Sequence, residues 1–226
     1  MLILQITTNS ADSLTTGSGE SAVSVLELLS KGGSIVVILA LLSIVAVYIF
    51  VERYRTIKSA TQTPDQFMDE IRGKVSSGDI EGAKLQCAGV ESPIARMIEK
   101  GISRIGSPLK NIEASIENVG KIEVYKLEKN IPILATIAGA APMLGFLGTV
   151  IGMIRAFIAI AQEEGSVSPK LLSQGIYEAM ITTAAGLVVG ILAYLAYNYL
   201  VTRVEKIIHK MEYSSIEFID LLQEPQ

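Results

Sequence analysis

This 226-residue sequence contains no tryptophan, one cysteine and one histidine. A single cysteine cannot form an intramolecular disulfide, and neither Cys87 nor His209 has companions that suggest a metal site or a nucleophile. The patterns of phosphate-binding loops, dinucleotide folds and zinc hydrolases (GxxxxGK[ST], GxGxxG and HExxH) are also absent from the sequence. We therefore expect no soluble-enzyme site, no metal and no cofactor.

The charges are nearly balanced. Nineteen lysines and arginines accompany 23 acidic residues, which gives a net charge of −4 at pH 7. Nucleic-acid-binding domains usually carry a basic patch, so this composition gives no reason to expect a nucleic-acid partner. Hydrophobic residues make up 50% of the chain, and their clustering in long runs indicates membrane spans rather than a globular core.

Three uncharged runs approach or exceed the length of about 20 apolar residues that a membrane-spanning helix needs. They cover residues 34–51, 131–154 and 179–201, the second closed by Arg155 and the third preceded by Glu178. Basic residues are sparse before the first run and between the second and third, but they follow the first and the third directly. The positive-inside rule therefore places the N-terminus outside and the C-terminus in the cytoplasm.

The sequence predicts an all-α integral membrane protein with three transmembrane helices. In order, we expect an outer N-terminal segment with a short interfacial helix near residues 24–29, the first span, a cytoplasmic helical domain, the second span, a short outer loop, the third span and a cytoplasmic C-terminal helix. The predicted boundaries of these parts are 1–33, 34–51, 52–130, 131–161, 162–175, 176–201 and 202–226.

Serine or threonine followed by proline marks four predicted helix starts. These pairs combine a capping side chain with a first-turn proline, and they place helix starts near residues 64, 93, 108 and 169. A turn at residues 77–79 predicts another start near residue 80. The helix from 108 shows no strong stop before the second span, and the helix from 169 is expected to reach residue 222. Apolar stripes on both predict two long rods packed antiparallel below the membrane.

Small residues recur at helical spacing in the second and third spans. Each span contains a GxxxG pair, the spacing that lets helix backbones approach closely in lipid. A proline inside the second span removes a helix hydrogen bond, so it either kinks the helix or is an ordinary membrane-helix proline. The residues expected to control helix packing and the shape of a pore are Pro142, Gly145, Gly148, Gly152, Gly186 and Gly190.

Four polar residues of these spans are candidates for a proton pathway and for lining a pore: Glu178, Thr149, Thr183 and Thr182. Glu178 is the only acid in the predicted spans, about 13 Å along a helix that begins at Pro169. Such a carboxylate should face a wet or protein-lined interior, unless it lies at the interface and points outward. The threonines alternatively bond a carbonyl of their own or a neighbouring helix. Arg155 is expected to reach the outer headgroups or to meet an acidic partner.

Two stretches carry a resemblance to a known family. Residues 129–157 and 176–187 resemble the two signatures of the ExbB/TolQ proton-channel family, within the wider MotA/TolQ/ExbB group. An ExbB-like member fits better than a MotA-like one, because a flagellar stator subunit of that type has four spans. In this resemblance Thr149 takes the polar position of the second span, while Glu178 and Thr183 take the acidic and hydroxyl positions of the third. Alanine is frequent at the position of Thr182, and Arg155 is not part of the pattern.

The resemblance implies a homopentamer in a bacterial inner membrane, with the second and third spans around a central pore. An ExbD- or TolR-like single-span partner would occupy the pore, and proton flow would drive a TonB- or TolA-like protein that serves the outer membrane. Because Glu178 is the only acid in the spans, we expect the partner's helix to supply another titratable group. Membrane lipids are also expected as partners. A TolQ-like or other motor stator subunit and a non-conducting oligomeric scaffold remain as alternatives.

Overall fold

The computed structural model describes residues 33–62, 64, 66–162 and 169–223, and in these ranges it contains helices and turns but no strand. This confirms the predicted all-α class. The expected interfacial helix near residues 24–29 and the centre of the outer loop lie outside the described residues. The helices are α1 (Gly33–Ala60), α2 (Phe67–Ser76), α3 (Ile80–Ala88), α4 (Pro93–Ile102), α5 (Leu109–Glu128), α6 (Ile131–Gln162) and α7 (Pro169–Gln223).

Three helical segments are long and apolar enough to cross a membrane, as predicted. They lie in α1, in the α5–α6 segment and in α7. In their most apolar windows only 17%, 22% and 28% of the residues are buried inside the protein. Helices of a water-soluble core would bury their apolar residues, whereas these present them to lipid or to another chain. The chain is therefore a membrane protein.

The two predicted rods are present, but one of them is interrupted. α7 is a single helix of 55 residues, about 80 Å long at 1.5 Å per residue. The other rod breaks between α5 and α6, where Asn130 adopts a φ of 66°. The expectation of one uninterrupted helix from residue 108 was wrong because of Pro132, which cannot donate to the carbonyl of Glu128 and whose ring would collide with it. Asparagine tolerates the left-handed conformation that results.

α1 stabilises this break. Arg53 is only 6% exposed, and its Nη1 donates a hydrogen bond of 3.1 Å to the carbonyl oxygen of Lys126. That carbonyl belongs to the last turn of α5, whose acceptors have no partner within the helix. The guanidinium also pairs with Glu52, and this hydrogen bond lowers the pKa of the Glu52 carboxyl. Arg53 is one of the basic residues that follow the first uncharged run, and in the structure it is buried and contacts α5.

Two predicted helix starts follow from their capping residues. The Ser92 hydroxyl accepts a hydrogen bond of 3.1 Å from the Ala95 amide, and α4 begins at Pro93. The Asp79 carboxylate accepts one of 2.9 Å from the Gly82 amide at the start of α3. In each case the side chain satisfies one of the free amides of the first turn.

Of two other starts, the one near residue 108 agrees with its prediction and the one near residue 64 is shifted. α5 begins at Leu109, with Pro108 immediately before the helix. α2 begins at Phe67 instead of near residue 64, because the Pro64 carbonyl accepts the Phe67 amide at 3.0 Å in a preceding turn. The predicted capping residue Thr63 lies outside the described residues.

A large part of the hydrophobic core lies outside the spans, where α2–α4 pack together and against α5 and the end of α7. The predicted stripe of α5 buries Ile112 and Ile116, and α7 contributes Met211 and Phe218. Helices approach closely here: a methyl group at Gly101 would lie 2.7 Å from side-chain carbons of both Ile116 and Phe218. This packing joins the parts of the two rods that lie outside the spans.

Candidate functional site

The membrane parts of α6 and α7 meet along a seam of small residues. A methyl group at Gly145 would lie 2.9 Å from the carbonyl oxygen of Thr182, and one at Gly186 would lie 2.6 Å from that of Ala141. Both distances are shorter than van der Waals contact, so glycine is needed for the two backbones to come this close. The small faces predicted from the sequence therefore meet each other within one chain.

The other members of the small-residue set lie in the same seam. Gly148 packs against the Thr182 side chain, and Gly190 packs against the ring of Pro142. A methyl group at Gly152 would be 3.2 Å from the Gly175 carbonyl oxygen. α6 remains helical through Pro142. Because protein atoms fill the seam at these contacts, no water-filled path runs between the two helices there.

The three threonines make different hydrogen bonds. Thr182 is 2% exposed, and its hydroxyl donates to the Ala179 carbonyl of its own helix at 2.7 Å. Thr149 likewise donates to the Phe146 carbonyl at 2.6 Å. Thr183 instead crosses the seam and donates to the Gly145 carbonyl at 3.1 Å. Thr182 is therefore enclosed in the seam, whereas Thr149 and Thr183 remain partly exposed.

Thr149 and Thr183 lie on the same side of the seam. Pro142 of α6 and Leu187 of α7 line one shallow groove between the two helices. Thr149 follows Pro142 by two helical turns and Thr183 precedes Leu187 by about one turn, so both threonines lie on the groove side. Large apolar side chains flank them, such as Phe146, which is 67% exposed. We call this surface the threonine face.

Glu178 and Arg155 form an ion pair near the ends of the membrane helices. Arg155 Nη1 lies 3.3 Å from Glu178 Oε1, and the two side chains are 60% and 27% exposed. Gly33, the first residue of α1, is also adjacent, since a methyl group there would lie 2.6 Å from Glu178 Oε1. The N-terminus of a helix carries a partial positive charge that favours a nearby carboxylate. The structure thus gives Arg155 an acidic partner within the same chain.

Glu178 does not share the threonine face. It precedes Thr183 by five positions, so the two side chains leave α7 about 140° apart around its axis. Glu178 lies on the side where α7 packs against α1, in line with Val189, which lines a groove between those helices. The structure therefore brings Thr149 and Thr183 to one surface and places Glu178 on another.

Glu123 was not among the residues predicted from the sequence, and it lies where α5 packs against α4. This glutamate is 3% exposed, and it binds Arg96 at 2.5 Å and Lys126 at 2.7 Å. Burial alone would raise the pKa of the Glu123 carboxyl, but the hydrogen bonds from Arg96 and Lys126 outweigh it and hold the pKa below its usual value of 4.5. A sequence signal was present, because Glu123 continues the buried stripe of Ile112 and Ile116 at helical spacing.

Among the residues that the structure describes, no group of three or more His, Cys, Asp or Glu side chains is arranged to hold a metal ion. Cys87 is buried, and burial raises the pKa of its thiol to about 12. His209 lies on an exposed surface of α7, with Nδ1 3.5 Å from Glu212. Neither residue belongs to the arrangement formed by Glu178 and the threonines.

These features define a class of protein: a helical membrane protein with three spans and polar side chains beside a tightly packed pair of helices. A profile of the MotA/TolQ/ExbB proton channel family matches residues 89–213, more than half of the chain. The chain belongs to this family, as its two sequence stretches indicated.

Individual relatives cover most of the chain. The TolQ protein of the Tol-Pal system from Haemophilus influenzae is 29% identical over 185 residues, which are 76% of this chain and 80% of that protein. The biopolymer transport protein ExbB from Aquifex aeolicus is 34% identical over 140 residues, 62% of this chain and 88% of that protein. An ExbB homolog from Methanothermobacter thermautotrophicus is 28% identical over 190 residues, 83% of this chain and 67% of that protein. Proteins of this family are proton-channel subunits that work in complexes with partner proteins.

Proposed function

We propose that this chain is an ExbB-like subunit of an inner-membrane complex that converts the proton-motive force into mechanical work. Several copies form a pore around the helix of an ExbD-like single-span partner. Proton flow through this assembly powers a TonB-like protein and thereby transport across the outer membrane. Membership of the proton channel family supports the proton-channel part, and similarity to proteins named ExbB supports the choice of system.

The observation that carries the proposal is the combination of a closed seam with an uncovered threonine face. Glycines bring α6 and α7 into backbone contact, so a proton path has no room between them. Thr149 and Thr183 instead present hydroxyls on an outer surface whose apolar neighbours include Met180, 66% exposed. Polar groups at membrane depth are costly when they face lipid. Copies arranged with their threonine faces inward would enclose these hydroxyls in a shared pore.

The position of Glu178 supports the idea that the partner's helix supplies a titratable group. This acid faces α1 and is paired with Arg155, whereas the proposed pore surface carries hydroxyls rather than a carboxylate. Hydroxyls can hold water but do not exchange protons near neutral pH as a carboxylate can. We propose that the partner's helix supplies the carboxylate of the relay, and that Glu178 contributes field and hydration or takes part in the relay.

The proposed location is the bacterial inner membrane, with the N-terminus in the periplasm and the C-terminus in the cytoplasm. Its support is the distribution of basic residues around the three spans. In this orientation the cytoplasmic domain is the part built from α2–α5 and the end of α7. The ion pair of Arg155 and Glu178 then lies toward the periplasmic side.

A TolQ-like role is the second candidate, favoured by the 80% coverage of the Haemophilus TolQ protein. Co-purification from the native cell separates the two: a TonB-like protein in the complex supports the first, and a TolA-like protein supports the second. Mass measurement of the intact complex gives the number of copies. Isolation as a single copy without a single-span partner would exclude the proposed pore.

Proton flux into vesicles tests the channel itself. Vesicles containing the chain and its single-span partner should take up protons when a pH gradient is imposed, whereas a non-conducting scaffold would give no flux. Thr183→Val should lower the flux about tenfold, or about 1.4 kcal/mol in barrier height, because it removes a hydroxyl from the pore surface. Thr182→Val is the matched control and should conduct normally, since Thr182 is enclosed in the seam. Equal flux from both variants would exclude the threonine face as the path.

Glu178→Ala provides an independent test of the acid. We expect lower energised uptake in cells that contain normal amounts of the variant protein. Uptake at the wild-type level would show that Glu178 has no role in the proposed pathway. The threonine face is tested separately by the proton flux of Thr183→Val and Thr182→Val.

A further inference from the structure

A second groove runs between α1 and α7 on the side where these helices pack together. It has a volume of about 460 Å³ and is lined mainly by apolar side chains. Alanines make it deep, because Ala46 of α1 faces Ala193 and Ala196 of α7, where larger residues would fill the space. An apolar groove between membrane-spanning helices suits an acyl chain rather than a polar ligand. We call it the α1/α7 groove.

Aromatic rings stand at one end of the α1/α7 groove. The ring centroids of Phe50, Tyr54 and Tyr199 lie 6.1–6.3 Å from each other. Phe50 and Tyr199 line the groove, and Tyr54 and Tyr199 line a second cavity of about 300 Å³ directly beyond it. Tyrosines are typical of the boundary between the hydrocarbon core and the headgroups. The rings therefore mark the depth at which the groove leaves the apolar core.

The second cavity is basic. Lys58 and Arg203 both line it, together with the polar side chains of Thr61 and Gln62. The guanidinium carbon of Arg203 lies 5.2 Å from the ring centroid of Tyr199, which holds the cation beside the cavity. Neither Lys58 nor Arg203 forms a salt bridge within the part of the chain that the structure describes.

The depth of the two cations agrees with that of lipid headgroups. Lys58 and Arg203 each follow a tyrosine of the aromatic group by four residues, about 6 Å along the helix. The third uncharged run ends at Val201, two residues before Arg203. Both cations thus lie just outside the hydrocarbon core, on the same side of the membrane. At this depth the negative group that they are placed to meet is a phosphate of the adjoining leaflet.

We propose that the α1/α7 groove and its basic end form a binding site for an anionic phospholipid. One acyl chain lies in the groove beside Ala46 and Ala193. The phosphate sits between Lys58 and Arg203, where the Gln62 amide offers a hydrogen-bond donor. A zwitterionic lipid binds less well, because its own cation approaches the same two positive charges. The site does not depend on the proposed channel function, because it faces away from the seam between α6 and α7.

Fluorescence quenching tests the site directly, because the chain has no tryptophan. Tyr199→Trp introduces a single reporter at the junction of groove and cavity and keeps an aromatic face for Arg203. The full-length variant is reconstituted in vesicles with a brominated phosphatidylglycerol or a brominated phosphatidylcholine at equal mole fractions. We expect the anionic lipid to be preferred by about 25-fold, since two basic residues near an anionic headgroup each contribute about fivefold.

Two comparisons control the measurement. Tyr48→Trp places the reporter on α1 at a side chain that is 69% exposed and outside the groove lining, so both lipids should quench it equally. Adding Lys58→Gln and Arg203→Gln to Tyr199→Trp should remove the anionic preference while quenching itself remains. Phe50→Trp provides a second reporter in the groove if Tyr199→Trp does not fold.

Three results would overturn the proposal. Equal quenching of the groove reporter by both lipids would show that no anionic headgroup is selected. A preference that survives the double substitution would place the selection elsewhere. Absence of quenching by either lipid would mean that protein covers the groove, such as a second copy of the chain.

Discussion

Arg155 and Glu178 belong to different membrane helices, and their side chains meet at 3.3 Å beside the first residue of α1. Three helices therefore meet at one point, where the ion pair links α6 to α7. Arg155 is 60% exposed, and exposed ion pairs contribute only about 0–1 kcal/mol to stability. The main consequence is geometrical, because the pair fixes the direction of the carboxylate toward α1 and away from the threonine face.

Charge reversal tests this relationship. Arg155→Glu places two carboxylates together, so the melting temperature of the purified protein should fall by about 2–4 °C for each kcal/mol lost. The double variant Arg155→Glu, Glu178→Arg restores opposite charges and should recover most of the loss. Circular dichroism in detergent measures all three proteins. A double variant that melts as low as the single one would contradict the pairing.

The sequence was sufficient for the architecture because the signals that specify it are local. Ser92 and Pro93 set the start of α4, and Ser168-Pro169 predicted the start of a 55-residue helix that does begin at Pro169. The break at Asn130 was missed although its cause is also local. Pro132 lies inside an uncharged run, two residues after Asn130, and its steric effect falls on the preceding turn.

The candidate site was only partly predictable, because the direction of a side chain around a helix depends on what that helix packs against. Residue type alone selected Thr149, Thr183 and Glu178. Which of them share a surface follows from the α6–α7 seam and from the position of α1, and both are contacts between distant parts of the chain. The ion pair of Arg155 with Glu178 was not predictable for the same reason, since it depends on how α6 and α7 pack.

Substitution of the seam glycine Gly186 should destabilise the protein. A methyl group there would lie 2.6 Å from the Ala141 carbonyl and 2.8 Å from the Gly145 Cα, both backbone atoms that cannot move aside without separating the helices. We expect Gly186→Ala to cost about 1–3 kcal/mol, as overpacking does in other cores. Gly139→Ala is the matched control, because nothing lies within 4 Å of the added methyl group. Both substitutions favour the helix intrinsically, so the difference between their melting temperatures isolates the clash. Equal melting temperatures would refute the close approach.

Cys87 should be unreactive in the folded protein. It is buried, and the thiol pKa of about 12 leaves almost no thiolate at pH 8. Maleimide labelling at pH 8 should therefore be slow in the native protein and fast after denaturation. Leu85→Cys in a Cys87→Ala background is the control, because Leu85 belongs to the same helix and is 74% exposed. Rapid labelling of native Cys87 would show that α3 opens or packs differently.

The buried carboxylate of Glu123 should make the stability of the packing between α4 and α5 depend on pH. Its pKa is lowered in the folded protein, so as the pH falls below about 4.5 the unfolded chain takes up the proton first. The stabilisation is complete above that value and is lost as the pH falls further toward the folded pKa. Glu123→Gln should therefore cost about 1–3 kcal/mol at pH 7, where hydrogen bonds to a charged group are lost, and progressively less in acid.

Thermal unfolding at pH 7 and at several pH values below 4.5 measures this effect. A control variant shows whether the effect is specific to the buried glutamate. Glu113→Gln removes an exposed glutamate from the same helix, one without an ion pair in the described part of the chain, and should change the melting temperature little at any pH. If Glu123→Gln were equally destabilising at neutral and acidic pH, the loss would come from packing rather than from charge. The contacts of Glu123 with Arg96 and Lys126 would then not be the reason that a carboxylate occupies the buried stripe of α5.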